Sequence, residues 1–341
     1  DLWAIHGGGI YHLEKYKLAP PAMPDNLHWF KWEAYFTWLS GVALLCVVFY
    51  ANPELYLLAP GSSLSGVEGV ALGIGSLFVG WFVYSFLCYS ALGKRPALLG
   101  LILFILLIGS AFGFSKVFSG RGAYLHVGAI IGTIMVGNVF RIIMPAQRAL
   151  VAAIAENRTP DPSLPAKGLL RSRHNNYFTL PVLFIMISNH FPSTYGSHYN
   201  WLILAGIAVL AVLVRHYFNT RHNSQKFAWT LPVAALGMIC LAYVTGPTLD
   251  AKPKGADFAQ VRGVIQERCA VCHSARPTSS LFSSAPAGVM FDTPQQIQLL
   301  APRIQAQAVT SQIMPLGNIT QMTQQERDLI GAWVTEGAKI N

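Results

Sequence analysis

Residues 267–273 read ERCAVCH, and this short stretch orients the whole chain. C-x-x-C-H is the spacing at which two cysteine thiols bond the vinyl groups of a haem while the next histidine binds its iron. Cys269 and Cys272 are therefore the expected thioether positions, and His273 the expected proximal ligand. A zinc site or a dithiol pair would not need a histidine directly after the second cysteine. The distal ligand has to come from downstream. Met314, in QIMPLGN, is expected there, because it precedes a proline in a loop just before the last helix; Met290 and Met322 are the other candidates. Met/His ligation raises a haem's potential, which suits an acceptor that takes electrons from an organic substrate and passes them to an oxidase.

The flanks of the motif read as a small soluble domain, residues 257–341. DFAQVRGVIQERC places Phe258, Val261 and Ile265 at helical spacing and runs into the cysteines. TQQERDLIGAWVTEG opens with Thr323 and Glu326 as a capping box, then sets Leu329, Ile330, Trp333 and Val334 on one face. Helix, haem motif and helix in this order imply a class I-like cytochrome c unit. PTLDAKPKGA, residues 247–256, reads as a linker.

Everything upstream has a different character. Hydrophobic residues make up 53% of the chain and charged residues 11%, with a mean hydropathy of +0.42. A soluble domain carries roughly 25% charged residues. After a polar, Gly- and Pro-rich juxtamembrane segment (1–28), residues 29–246 hold seven apolar runs. They are Trp29–Ala51, Gly66–Leu92, Pro96–Phe114, Tyr124–Met144, Tyr177–Phe191, Trp201–Val214 and Phe227–Thr245. Most approach the ~20 residues needed to cross a bilayer. The fifth and sixth need their polar ends, His174–Asn176 and Arg215–His216, to complete a span. The expected fold is all-α: a polytopic bundle of seven transmembrane helices joined to the cytochrome unit. Cys46, Cys88 and Cys240 sit alone in apolar runs and read as small packing residues, with no disulfide framework implied.

Orientation follows from two unrelated arguments. Haem is attached to C-x-x-C-H outside the cytoplasm, so the C-terminal unit belongs in the periplasm of a bacterial inner-membrane protein. Seven crossings then put Asp1 inside. On that topology fourteen Lys/Arg lie in inner loops and two, Lys116 and Arg121, in outer ones. That is the positive-inside asymmetry. The formal charge of +9 thus reflects membrane topology. No arginine-rich arm with interleaved aromatics points to nucleic acid. The chain opens on Asp1 without a signal peptide, so a preceding segment is expected.

Ionisable groups inside membrane helices are costly and mark candidate sites. The topology sorts them into two layers. The outer layer holds Glu68, Arg121, His126, Asn189, His190 and His198; the inner holds Glu33, Arg141, His174, Asn175, Asn176 and His216. Arg141 also reads as a snorkelling residue, and Asn138, between the layers, as an interhelical hydrogen bond. Pro181 interrupts the fifth segment between its two polar clusters. Stacked haems b would need histidine pairs on facing helices. His174 and His190 are 16 residues apart, about 24 Å of rise, and His126 has no partner at its depth. A second haem b, or a metal, in the bundle would need a ligand from a loop or from ahead of Asp1.

Five stretches together give the chain a family likeness: HGGGIYHLEKY (6–16), LHWFKWEAYFTWLSG (27–41), YLHVGAIIGTIMVGNVFRIIMPAQR (124–148), RSRHNNYFTLPVLFIMISNHFP (171–192) and MPLGNITQMTQQER (314–327). They resemble the bacterial membrane urate oxidases, or urate hydroxylases, of the PuuD type, over nearly the whole length. The resemblance implies oxidation of urate to 5-hydroxyisourate with water as the oxygen source. Electrons would pass to haem c, and no hydrogen peroxide would form. It also implies one further membrane helix ahead of HGGG, eight in the full protein, and a terminal oxidase or soluble cytochrome c as acceptor.

Urate is a planar anion, so binding it takes positive charge and hydrogen-bonding groups, and oxidising it takes a base. In the outer layer His126, His190, Glu68 and Asn189 are the expected catalytic residues, with Arg121 as the charge that binds substrate. His174, Asn175 and Asn176 offer the same binding chemistry in the inner layer. An outer site can hand electrons directly to haem c, whereas an inner one is separated from it by a hydrocarbon core of ~30 Å. That favours the outer site. Two alternatives remain for the chain as a whole. One is a membrane-anchored electron-transfer subunit fed by quinol or a partner dehydrogenase. The other is a metal-handling or assembly protein, against which the lack of Met-rich or Cys/His-rich tracts speaks.

Overall fold

Long apolar runs with almost no charge leave the chain no choice but to satisfy its backbone internally, and in this sequence they do so as helices. The computed structural model describes residues 2–6, 8–16, 20, 23, 24, 26–221, 224–246 and 256–340. Asp1 and nearly all of the expected linker, residues 247–255, lie outside the described residues.

The chain opens with a feature the all-α expectation misses. β1 (Leu2–His6) and β2 (Gly9–Leu13) form an antiparallel hairpin in which Ala4 faces Tyr11. Gly8, at φ +79°, makes the turn, and Trp3 stacks on His12 with ring centroids 4.1 Å apart. The GGG triplet between two alternating runs is a hairpin signal.

The bundle follows. α1 (Trp32–Leu45) continues through a π-helical turn at Cys46–Tyr50, and the short α2 (Pro53–Tyr56) precedes α3 (Gly66–Tyr89) and α4 (Pro96–Val117). α5 (Gly120–Asn138) runs through a second π turn, Val139–Ile143, into α6 (Met144–Ala155). α7 (Ser163–Ile187), α8 (Pro192–Tyr195), α9 (Asn200–Thr220) and α10 (Thr230–Val244) complete it. α5 is the central helix: it packs against α1, α3, α4 and α7 and supplies the largest share of the buried residues. Large apolar side chains on α1, α3, α4 and α10, such as Leu44, Phe82, Ile105 and Leu236, point outward. Helices that are apolar all round are those of a membrane or a large core.

Among the described residues, five helices are long and apolar enough to cross a membrane: Trp32–Tyr50, Gly66–Tyr89, Pro96–Val117, Gly120–Ala155 and Asn200–Thr220. Two of the seven expected spans fall outside that set. The fifth is the C-terminal half of α7, whose first half, from Ser163 to Asn176, is polar. The seventh, α10, is apolar but has only 15 residues. α9 does extend through Arg215 and His216 to Thr220, and α7 runs unbroken past Pro181. Of the three isolated cysteines only Cys88 is buried; Cys46 and Cys240 lie on the bundle's exterior. Their surroundings are apolar, but the faces they occupy look outward.

The C-terminal unit has its own hydrophobic cluster. α11 (Phe258–Arg268), α12 (Pro294–Leu299), α13 (Ala301–Ile304) and α14 (Gln324–Thr335) surround it. Val261, Ile265, Ile330 and Trp333 are all buried in it, as their helical spacing predicts. Thr323 and Glu326 form the expected capping box at the start of α14.

Candidate functional site

The end of α11 delivers the cysteine motif to a cavity of about 380 Å³. Cys269, Cys272, His273 and Met314 all line it, with Phe282, Val289, Phe291, Leu300 and Ile304 as apolar wall. His273 donates from Nδ1 to the Val289 carbonyl at 3.1 Å. A histidine held this way keeps its Nε2 lone pair free for a metal. The Met314 carbonyl accepts from Arg327 Nη1 at 2.7 Å, which anchors the loop that carries the thioether. Met322 is buried in the hydrophobic cluster, and neither Met322 nor Met290 lines the cavity. Burial pushes the Cys269 thiol up to about 12. Among the described residues no group of three or more His, Cys, Asp or Glu side chains is disposed to hold a metal ion. Two half-buried cysteines, a histidine with one free nitrogen, a methionine and an apolar wall are residues that could hold a covalent haem.

The bundle supplies the rest of the wall: Tyr56, Arg121, Asn189 and Tyr195. Each is placed by a tight junction. Ser119 caps α5, accepting from Gly122 N, while its own N–H donates to the Leu57 carbonyl at 2.8 Å and its hydroxyl to the Tyr56 carbonyl at 3.0 Å. That fixes α2 against the start of α5, where Arg121 lies. A Cβ at Gly120 would come 1.9 Å from the Tyr195 carbonyl, so only glycine lets α8 close on the same helix end. The C-terminal unit docks here too. A Cβ at Gly196 would sit 2.2 Å from Ser311 Cα, and the turn Leu316–Asn318 packs on α2.

Two polar atoms on this wall have no partner. Arg121 Nε and Asn189 Oδ1 are buried and make no hydrogen bond. The Arg121 guanidinium lies over the Phe49 ring, 5.4 Å from its centroid. The cavity lining holds three arginines, Arg121, Arg268 and Arg303, and no Asp or Glu. Arg268 is committed to Glu326 at 3.0 Å and to the Thr320 carbonyl at 2.8 Å.

The other residues of the expected outer site are not brought to the cavity. His126 is fully buried and satisfied on both sides. Its Nδ1 donates to the Gly122 carbonyl at 2.8 Å, so its Nε2 accepts from the Tyr50 hydroxyl at 2.9 Å. Phe114 and Phe118 cover the ring. Glu68 is exposed and serves as the reciprocal partner of Ser65 in the capping box of α3. His190 is exposed beside Asn189, and His198 is exposed in the loop before α9.

The far end of the bundle holds a second polar cluster. Asn138 Nδ2 donates to the Tyr84 hydroxyl and to Asn175 Oδ1, both at 2.8 Å. The Tyr84 hydroxyl lies 2.9 Å from His174 Nδ1. Asn175 donates onward to the Met135 carbonyl. Arg171 is buried between the rings of Tyr84 and Tyr89. Asn176 pairs with Arg215, and Tyr177 with His216. Glu33 and Arg141 are exposed, with Glu33 3.7 Å from His28. Asn138 lies 12 residues beyond His126 on α5, about 18 Å of rise.

Sequence reasoning missed the residues that complete these clusters. Tyr50, Tyr56, Tyr84 and Tyr195 carry no signal among thirteen tyrosines. Arg171 reads as one more inner-loop cation.

Residues 1–246 match the family model described as urate oxidase N-terminal. No curated protein and no solved structure shows significant similarity to the chain. The matched region takes in the hairpin, the whole bundle and all four bundle residues on the cavity wall. The chain therefore belongs to the urate oxidase N-terminal family.

Proposed function

We propose that this chain is a membrane-bound urate oxidase that sends its electrons to a haem c in the C-terminal unit. One observation carries the reading: the cavity lined by Cys269, Cys272, His273 and Met314 is walled on its other side by Arg121, Asn189, Tyr56 and Tyr195 of the family domain. A redox group seated there would touch the urate oxidase domain directly. The five long apolar helices support a multi-pass membrane protein, and C-x-x-C-H supports a periplasmic C-terminal unit.

The balance of the reaction is urate plus water giving 5-hydroxyisourate, two protons and two electrons, with no hydrogen peroxide. Haem c, when bound, supplies an acceptor for those electrons, one at a time, before they pass to an oxidase or a soluble cytochrome. Arg121 gives the bundle wall a positive charge that favours an anion. Asn189 Oδ1, an unpaired acceptor, is suited to an N–H edge of a purine. His190, exposed on the turn that carries Asn189, is the base assigned to take a proton. His126 holds the Tyr50 hydroxyl inside the bundle, and neither residue lines the cavity. His174 and Asn175 stand in the far cluster and serve the bundle's packing.

The test is anaerobic. Urate added to the purified, oxidised protein is expected to reduce the c-type haem absorbance on the timescale of turnover. Full reduction by quinol with none by urate would instead make the chain an electron-transfer subunit.

A further inference from the structure

Arg121 stands on the urate oxidase domain yet faces the cysteine motif of the C-terminal unit across one cavity. Its Nε is buried and unpaired, and its Cζ lies over the Phe49 ring, 5.4 Å from the centroid. Among the described residues no carboxylate lines the cavity. A half-buried guanidinium with no carboxylate partner is a ready site for an anion. Arg268, the second arginine, already has Glu326. Arg303, the third, is exposed on the rim, where water screens it.

We propose that Arg121 pairs with a carboxylate of the bound haem, clamping the cofactor's anionic edge against the bundle. The inference rests on the haem reading above and goes beyond it by giving the family domain a hand in holding the cofactor. The shared chemistry is an anionic oxygen edge, which a haem propionate or the substrate anion can supply. The propionate is the better match because it is tethered in the cavity by Cys269 and Cys272, whereas the substrate comes and goes. A cation held beside a haem favours its reduced form, because net charge near the iron sets the potential. Arg121 is thus a positioning residue that tunes the acceptor.

The experiment is a redox titration of the full-length protein without urate, following the haem absorbance between ferricyanide and dithionite. Arg121→Gln is expected to lower the midpoint potential, Arg121→Lys to restore most of it, and Arg303→Gln to shift it less than Arg121→Gln does. Arg121→Met, which keeps an apolar stem over Phe49, repeats the measurement should the glutamine variant not fold. An unshifted potential with a raised KM for urate would overturn the inference and assign Arg121 to the substrate. Because the titration uses no urate, its result stands whether or not urate reduces the haem. A protein without covalent haem would refute the reading above as well.

Discussion

At the end of the bundle next to the C-terminal unit, Arg121 Nε and Asn189 Oδ1 are unpaired, on residues that line a cavity. At the far end Arg171 Nη1 and Asn138 Oδ1 are unpaired too, but both residues are closed inside the helices, Arg171 at 3% exposure and Asn138 at 0%. The residue types are nearly the same: an arginine, asparagines, histidines hydrogen-bonded to tyrosines. What differs is where the remaining valence points. The far cluster ties α3, α5 and α7 to one another, which is how polar side chains join helices in an apolar medium. The near residues line a cavity that they share with the C-terminal unit.

Substitutions can break this contrast from either side. The largest effect is expected at the near end. Met314→Ala removes the methionine that faces the cavity, and should slow urate-driven haem reduction on the order of 100-fold while the haem stays attached. Stopped-flow absorbance would check it, and an unchanged rate would show that Met314 is not an iron ligand. At the far end Asn138→Ala removes donors to both the Tyr84 hydroxyl and Asn175. It should cost about 2 kcal/mol of stability in thermal unfolding and leave the rate at low temperature intact. A slowed reaction in a fully stable variant would move the chemistry to the far end. The smallest change is Glu68→Gln. Its amide can still serve the capping box with Ser65, so a loss of no more than about 0.5 kcal/mol and no loss of turnover are expected. A dead Glu68→Gln enzyme would restore that carboxylate to catalysis.

Much of this architecture is legible in the sequence because it depends on composition and spacing. Apolar length defines five of the helices outright, and the heptapeptide ERCAVCH places the cavity. Thr323 and Glu326 announce the start of α14 by local chemistry alone. The polar half of α7 was harder, since its first 14 residues look like a loop until tertiary packing draws them into the helix. The hairpin at the start hid behind a polar composition, although its glycines gave the turn. The site was only half readable. Arg121 and Asn189 stand out as polar residues in apolar context, but nothing in their spacing says that they share a wall with Cys269, 148 residues beyond Arg121. That contact depends on glycines at 120 and 196, whose importance lies in what a methyl group would strike.

The cavity's double ownership also bears on assembly. One wall comes from the bundle and the other from the C-terminal unit, and they meet at Gly196 and Ser311 with no room for a side chain between them. A container with halves of this kind has to be loaded while it is open. For the haem proposed above, the two cysteines would have to meet the cofactor before the C-terminal unit seats on the helices. On that reading maturation has an order: insertion, then attachment, then closure, with docking as the last step.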